Sequence, residues 1–185
     1  MTSLLPLGPV AGGDACAVPD AAPGAGERTW VGPGAAERLA ILRRTRSVAV
    51  VGASTNPARA SYFVATYLLA SSGYDVYFVN PRATELLGRP VYPSLAALPV
   101  VPALVDVFRR HDDLPTVLEE TLAVGARTLW LQLGSWHEEV ARTGQAAGLD
   151  VVMDRCLKIE HARFHGGLHL AGFDTGVISS RRQRT

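Results

Sequence analysis

Residues 47–61 read SVAVVGASTNPARAS: an almost unbroken apolar run, a glycine, and then a polar turn. Successive valines ended by Gly52 have the pattern of a strand buried on both faces. Residues 59–72 continue as a helix that stops at Ser71, Ser72 and Gly73, and YDVYFVNP is a second strand closed by Pro81. The alternation then repeats. ALVDVF after Pro102 is a third strand, a helix over about 112–124 ends at Gly125, and RTLWLQL is a fourth strand. A helix over about 136–147 stops at Gly148, before the fifth strand, LDVVM. Upstream, AAERLAILRRT at 35–45 predicts a short helix with Leu39 and Leu42 on one face. Strands separated by helices pair in parallel through right-handed crossovers, so the predicted fold class is α/β, doubly wound, with a mainly parallel five-stranded sheet.

The chain has 185 residues, 48% of them hydrophobic, enough for one core and not for two full domains. The expected division is a flexible Ala/Pro/Gly-rich extension at 1–34, the folded domain at 35–164 and a tail at 165–185. The formal charge is +1 and the strongest basic cluster is Arg181, Arg182 and Arg184, which argues against a nucleic-acid-binding face. Cys16 and Cys156 are far apart, which excludes a disulfide framework and fits a reducing cytoplasm. No run approaches the ~18 apolar residues of a membrane helix. The first residues lack a basic leader, which argues against a secretory signal; a start codon set too early is the alternative reading of the extension. A homodimer is the default expectation for such a domain.

Doubly wound sheets bind ligands outside the carboxyl ends of their strands, where strand order reverses. That rule selects GASTNPARAS, NPR after Val79, FRRHD after Val107, QLGSWHE after Leu131 and DRCLKIEH after Met153. The first turn leads into a helix whose unpaired N–H groups suit phosphate, with Arg59 as an added cation. Only the first glycine of a dinucleotide fingerprint is present, since Ser54 and Pro57 stand where the others belong. The second strand ends in Asn80, Pro81 and Arg82 with no carboxylate for ribose hydroxyls, which disfavours NAD and leaves NADP and coenzyme A, both with an extra phosphate. Alternatively, Asn80 and Pro81 only end the strand and Arg82 sits in solvent.

The segments VVGASTNPARASYFVATYL, VYFVNPR, LLGRPVYPSLAALP, LVDVFRR, LWLQLG and VVMDRCLKIEHARF resemble the small stand-alone CoA-binding domain proteins. Their Rossmann-like fold is shared with the nucleotide-binding domain of the succinyl-CoA synthetase α subunit. The resemblance spans roughly residues 38–164 and implies a coenzyme A or acyl-CoA ligand. It implies a phosphate loop at Gly52, Ala53, Ser54, Thr55 and Asn56 with Arg59 and Ser61 at the helix start. It implies an adenosine flank at Asn80, Pro81 and Arg82, and a ligand edge at Val107, Phe108 and Arg109. Gln132 and the stretch near Cys156 match strand ends that lie toward the pantetheine thiol in the synthetases. Those enzymes continue into a domain bearing a phosphorylated histidine for which this chain has no room, so the resemblance implies binding, sensing or delivery rather than intrinsic catalysis. Thr55 stands where relatives often have proline.

Other candidates have structural alternatives. Cys156 has Arg155 and Lys158 beside it, which favours a thiolate able to form a mixed disulfide, against a small buried residue at a strand end. His161, His165 and His169 recur every fourth residue as in a metal site, yet Gly166 and Gly167 interrupt that helix. Glu160 and His161 are a candidate acid/base pair, against Glu160 bonding backbone or Arg163. Asp106, inside an apolar strand, needs a partner, expected to be a backbone amide or Arg109. Trp130 and Trp136 pack under the ligand or in the core. No catalytic residue and no metal ligand is assigned. The rival functions are an NADP-dependent oxidoreductase or nicotinamide-sensing regulator, and a CoA-site subunit of an acyl-CoA ligase.

Overall fold

The computed structural model describes residues 28–165; Cys16, His169 and the terminal arginines lie outside the described residues. The first helix is α1 (Ala35–Arg44), followed by β1 (Ser47–Val51), α2 (Ala60–Ser71) and β2 (Asp75–Val79). Then come β3 (Glu85–Leu86), β4 (Arg89–Tyr92) and β5 (Leu104–Val107). The last elements are α3 (Leu114–Ala123), β6 (Thr128–Leu131), α4 (Glu138–Ala146), β7 (Asp150–Val152) and α5 (Leu157–His165). The sheet order is β3-β4-β2-β1-β5-β6-β7, parallel except for β3 against β4. With β4 counted as the third parallel strand, this is the 3-2-1-4-5-6 order of the dinucleotide-binding fold, and the order reverses between β1 and β5.

The sheet has seven strands rather than the expected five, because β3 and β4 form a small hairpin beyond β2. Its two-residue turn places Leu87 at φ 52 and Gly88 at φ 72, the left-handed pair that suits the twist of a tight hairpin. Leucine seldom adopts that conformation, and Pro90 stands in β4, where it donates no ladder bond.

Two apolar layers sandwich the sheet. Val105, Val107, Leu129 and Leu131 join α3 and α4 on one face. Val48, Val50, Leu104 and Trp130 join α1, α2 and α5 on the other. Alternating residues of each strand supply the two layers, so β1, β5 and β6 are buried throughout, apart from the half-buried Ser47.

Residues 28–34, assigned above to a flexible extension, instead lie on the domain. Trp30 is 6% exposed in the α3/α4 layer and its indole N–H donates to Gln145 at 2.8 Å. The Thr29 backbone N–H and hydroxyl each donate to Glu138 at 2.8 Å, and Arg28 pairs with Asp154 at 3.2 Å. The Thr29 hydroxyl, first among several donors, holds the Glu138 carboxyl down to about 2. Composition hid this strap, because its anchors Arg28, Thr29 and Trp30 stand at the end of a long Ala/Pro/Gly-rich stretch.

Candidate functional site

A cavity of about 940 Å³ lies over the carboxyl ends of β2, β1, β5 and β6, at the reversal of strand order. Its volume falls in the range of small-molecule and cofactor sites.

Its floor begins at the turn after β1. Gly52 has φ +82, and a Cβ there would lie 2.7 Å from the Phe108 carbonyl oxygen, so only glycine lets β1 end so close to β5. The turn is braced by its own side chains. The Ser54 N–H donates to the Ser61 hydroxyl at 3.1 Å, the Asn56 N–H to the Ser54 hydroxyl at 3.2 Å, and the Ala58 N–H to the Asn56 side-chain oxygen at 2.9 Å. These bonds occupy several loop N–H groups and leave the start of α2 as the anion-binding end, with Arg59 at its N-cap.

Of the expected residues, the structure places Gly52, Ser54, Arg59, Ser61, Asn80, Pro81, Arg82, Val107, Phe108, Arg109 and Gln132 in the cavity wall. Ala53 is buried beneath it and packs with the α2 layer, while Thr55 and Asn56 are exposed outside its lining. Asn80 braces the site: its amide N–H donates to the Ala53 carbonyl at 2.6 Å and its oxygen accepts from the Arg82 N–H at 2.9 Å.

Cys156 is half-buried and packs with the α2 layer, apart from the cavity lining. None of residues 154–161 lines the cavity, because β7 stands one strand beyond the four whose ends form it.

Residues not singled out in the sequence complete the far wall, Ala60, Arg110, His111, Asp113 and 133–135, together with Trp136, which lines the cavity, whereas Trp130 is buried in the core. The rings of His111 and His137 stack 4.6 Å apart beside it. His137 Nδ1 caps α4 by accepting the Val140 N–H at 3.3 Å. Arg28 lies 4.4 Å over the Trp136 ring, which ties the strap to this wall. The segments FRRHD and QLGSWHE pointed to this region, but which of their residues face inward depends on loop geometry.

Charge in the cavity is one-sided. Among the described residues, Arg59, Arg82, Arg109 and Arg110 line it against a single carboxylate, Asp113, which lies 3.9 Å from Arg109. Arg59, Arg82 and Arg110 have no ion-pair partner among the described residues. Such a surface attracts a ligand carrying several negative charges.

Two expectations about individual side chains are corrected or completed here. Asp106 bonds neither a backbone amide nor Arg109: Gln132 Nε2 donates to its Oδ1 at 2.5 Å. Parallel pairing sets Asp106 opposite Trp130, so Gln132, two residues on, shares its face. Glu160 accepts from Arg163 as expected and also from Arg38 of α1 at 2.8 Å. It is buried as an ion-paired clasp between helices, away from the cavity. His161 Nδ1 lies 3.0 Å from the Tyr67 hydroxyl, also outside the cavity. Among the described residues no group of three His, Cys, Asp or Glu is placed to hold a metal ion, and no helix is long and apolar enough to cross a membrane.

Comparison with known proteins places this chain among relatives. Residues 46–162 match the family described as CoA binding domain. The chain is 38% identical over 130 residues to the uncharacterized protein YneT of Bacillus subtilis, covering 70% of this chain and 96% of that one. A protein of Pyrococcus horikoshii OT3 described as hypothetical superposes with a TM-score of 0.67 at 38% identity, over 71% of this chain and 92% of its own. The dinucleotide-forming acetyl-coenzyme A synthetase 1 of Ca. Korarchaeum cryptofilum, solved with phosphate and ADP, superposes with a TM-score of 0.53 at 25% identity. That match covers 57% of this chain and 25% of the synthetase.

Proposed function

The chain belongs to the CoA binding domain family, and from that membership we propose that its carboxyl-end cavity binds coenzyme A or an acyl-CoA in a binding, sensing or delivery role. The observation that carries this reading is the charge arrangement: four arginines against one carboxylate, beside the start of α2. Coenzyme A has a pyrophosphate and a separate ribose phosphate, so it needs cations at two places along one groove. In this reading the pyrophosphate rests on the first turn of α2 with Arg59. Arg82 or Arg109 meets the ribose phosphate, and the pantetheine arm runs toward Gln132.

Thermal unfolding with CoA, acetyl-CoA, NAD, NADP and ATP at matched ionic strength tests it. A ligand at ~100 times its dissociation constant adds about 2.7 kcal/mol of stability. The expected result is a shift with CoA and its thioester and none with the nicotinamide nucleotides; a shift only with NADP overturns the reading. Arg82→Glu is expected to raise the CoA dissociation constant about tenfold at low salt and less at high salt, because exposed charges are screened. Calorimetric titration at two salt concentrations measures this, and unchanged affinity would remove Arg82 from the site.

A further inference from the structure

Asp106 is 0% exposed in β5, and its neighbours Val105 and Val107 point to the α3/α4 layer, so its side chain points to the other face. There Oδ1 accepts from Gln132 Nε2, while Oδ2 is buried with no partner. Gln132 is only 7% exposed yet lines the cavity. One carboxamide thus connects a sealed acid to the surface a ligand would touch.

We propose that Asp106 is a positioning residue whose protonation state decides which end of the Gln132 carboxamide faces the cavity. An ionised carboxylate only accepts, so it holds Nε2 and leaves Gln132 Oε1 for the ligand. A neutral acid has an O–H to place, and Oδ2 has no acceptor near it. With the proton on Oδ1, the oxygen that faces Gln132, turning the amide supplies Oε1 as its acceptor and leaves Nε2 for the ligand. Burial pushes the Asp106 carboxyl up to about 7, against the Gln132 bond, so both states occur near neutral pH.

The ionisable groups within α2 and α5 are engaged away from Asp106. Helix α2 has no charged residue between Ala60 and Ser71, and its Tyr67 faces His161. From α5, Glu160 pairs with Arg38 of α1 and with Arg163, and Lys158 lies 5.8 Å over the Tyr67 ring. On the cavity side stand Arg59, Arg82, Arg109, Arg110, His111 and Asp113. The residues nearest Asp106 in register on β1 and β6 are Val50 and Trp130.

The consequence for ligand choice rests on the coenzyme A reading. Free CoA brings a thiol S–H, a donor, to the Gln132 end; an acyl-CoA brings a thioester carbonyl, an acceptor. Ionised Asp106 therefore favours the thiol and neutral Asp106 the thioester.

The test has a ligand-free arm and a ligand arm. The side-chain amide signals of Gln132, followed by NMR in the ligand-free protein from pH 5 to 8.5, are expected to move with a midpoint near 7. They are expected to stay flat in Asp106→Asn. Flat Gln132 signals in the native protein overturn the proposal. In the ligand arm, CoA and acetyl-CoA dissociation constants are compared at pH 5.5 and 7.5 as a ratio, which cancels the titration of the phosphates they share. The ratio is expected to shift about fivefold toward acetyl-CoA at the lower pH in the native protein and to stay constant in Asp106→Asn. If both ligands bind with a pH-independent ratio, the cavity does not read the amide and the proposal fails while the coenzyme reading stands. If Gln132 titrates and neither ligand binds, the positioning role is supported and the coenzyme reading fails.

Discussion

Gly52→Ala is expected to lower stability by about 2–4 kcal/mol and to abolish ligand binding at the cavity. Part of the loss is conformational, since φ +82 is costly for any residue with a Cβ. The larger part is steric: the new methyl would meet the Phe108 carbonyl oxygen at 2.7 Å and Arg109 Cδ at 3.2 Å. A backbone carbonyl does not move aside alone. The Phe108 N–H donates to Val51 O at 2.8 Å and the Gly52 N–H to Val79 O at 2.9 Å, so relief would separate β5 from β1 at the cavity floor. Gly88→Ala is the control, because Gly88 has φ +72 and open space where its Cβ would go. It should show only the conformational cost, about 1 kcal/mol. Urea unfolding of both variants measures the difference; equal losses would mean that close strand approach is not what requires glycine at 52.

Asp106 makes stability fall with rising pH. Its carboxyl is raised from 3.8 to about 7 by burial, with the Gln132 bond opposing. The folded chain then holds a proton between about pH 4 and 7 that the unfolded chain releases. Its contribution is fully present below the unfolded value, declines as pH rises through that window and is gone above about 7. A shift of roughly three units corresponds to about 4 kcal/mol across the window. Asp106→Asn keeps the shape and the acceptor for Gln132 while removing the titration. It should match the native protein near pH 4 and exceed it by up to about 4 kcal/mol at pH 8. Urea unfolding at pH 4, 6 and 8 reads the divergence. A variant less stable than the native protein at pH 8 would show that the ionised carboxylate is solvated in a way its burial does not suggest.

The elements with strong periodicity were legible in the sequence. β1, β2, β5, β6 and β7, and the helices between them, lie within a few residues of their expected bounds, because apolar runs ended by Gly or Pro leave few other readings. The β3–β4 hairpin was not legible: a two-residue strand, a leucine in the left-handed region and a proline in the partner each contradict strand propensity. In the site, the turn at Gly52 and Arg82 beyond β2 followed from chain order, Arg109 from the family resemblance, and Arg110 was not singled out. The Asp106–Gln132 bond did not, because it depends on which residues of two strands fall side by side. Cys156 was drawn toward the ligand by analogy, whereas the strand it follows ends beyond the cavity.

The central position of β1 also governs when the site comes into being. Among the described residues only β3 and β4 close as a local hairpin; β1 must wait for β2 on one side and for β5, where Val48 meets Leu104, on the other. Pairings between such distant segments form slowly. A chain emerging from the ribosome exposes the Gly52 turn and α2 well before it exposes Phe108, whose N–H completes the floor. The cavity is therefore absent from every shorter intermediate, and a ligand bound there would act as a late latch on an almost finished domain, not as a template around which folding begins.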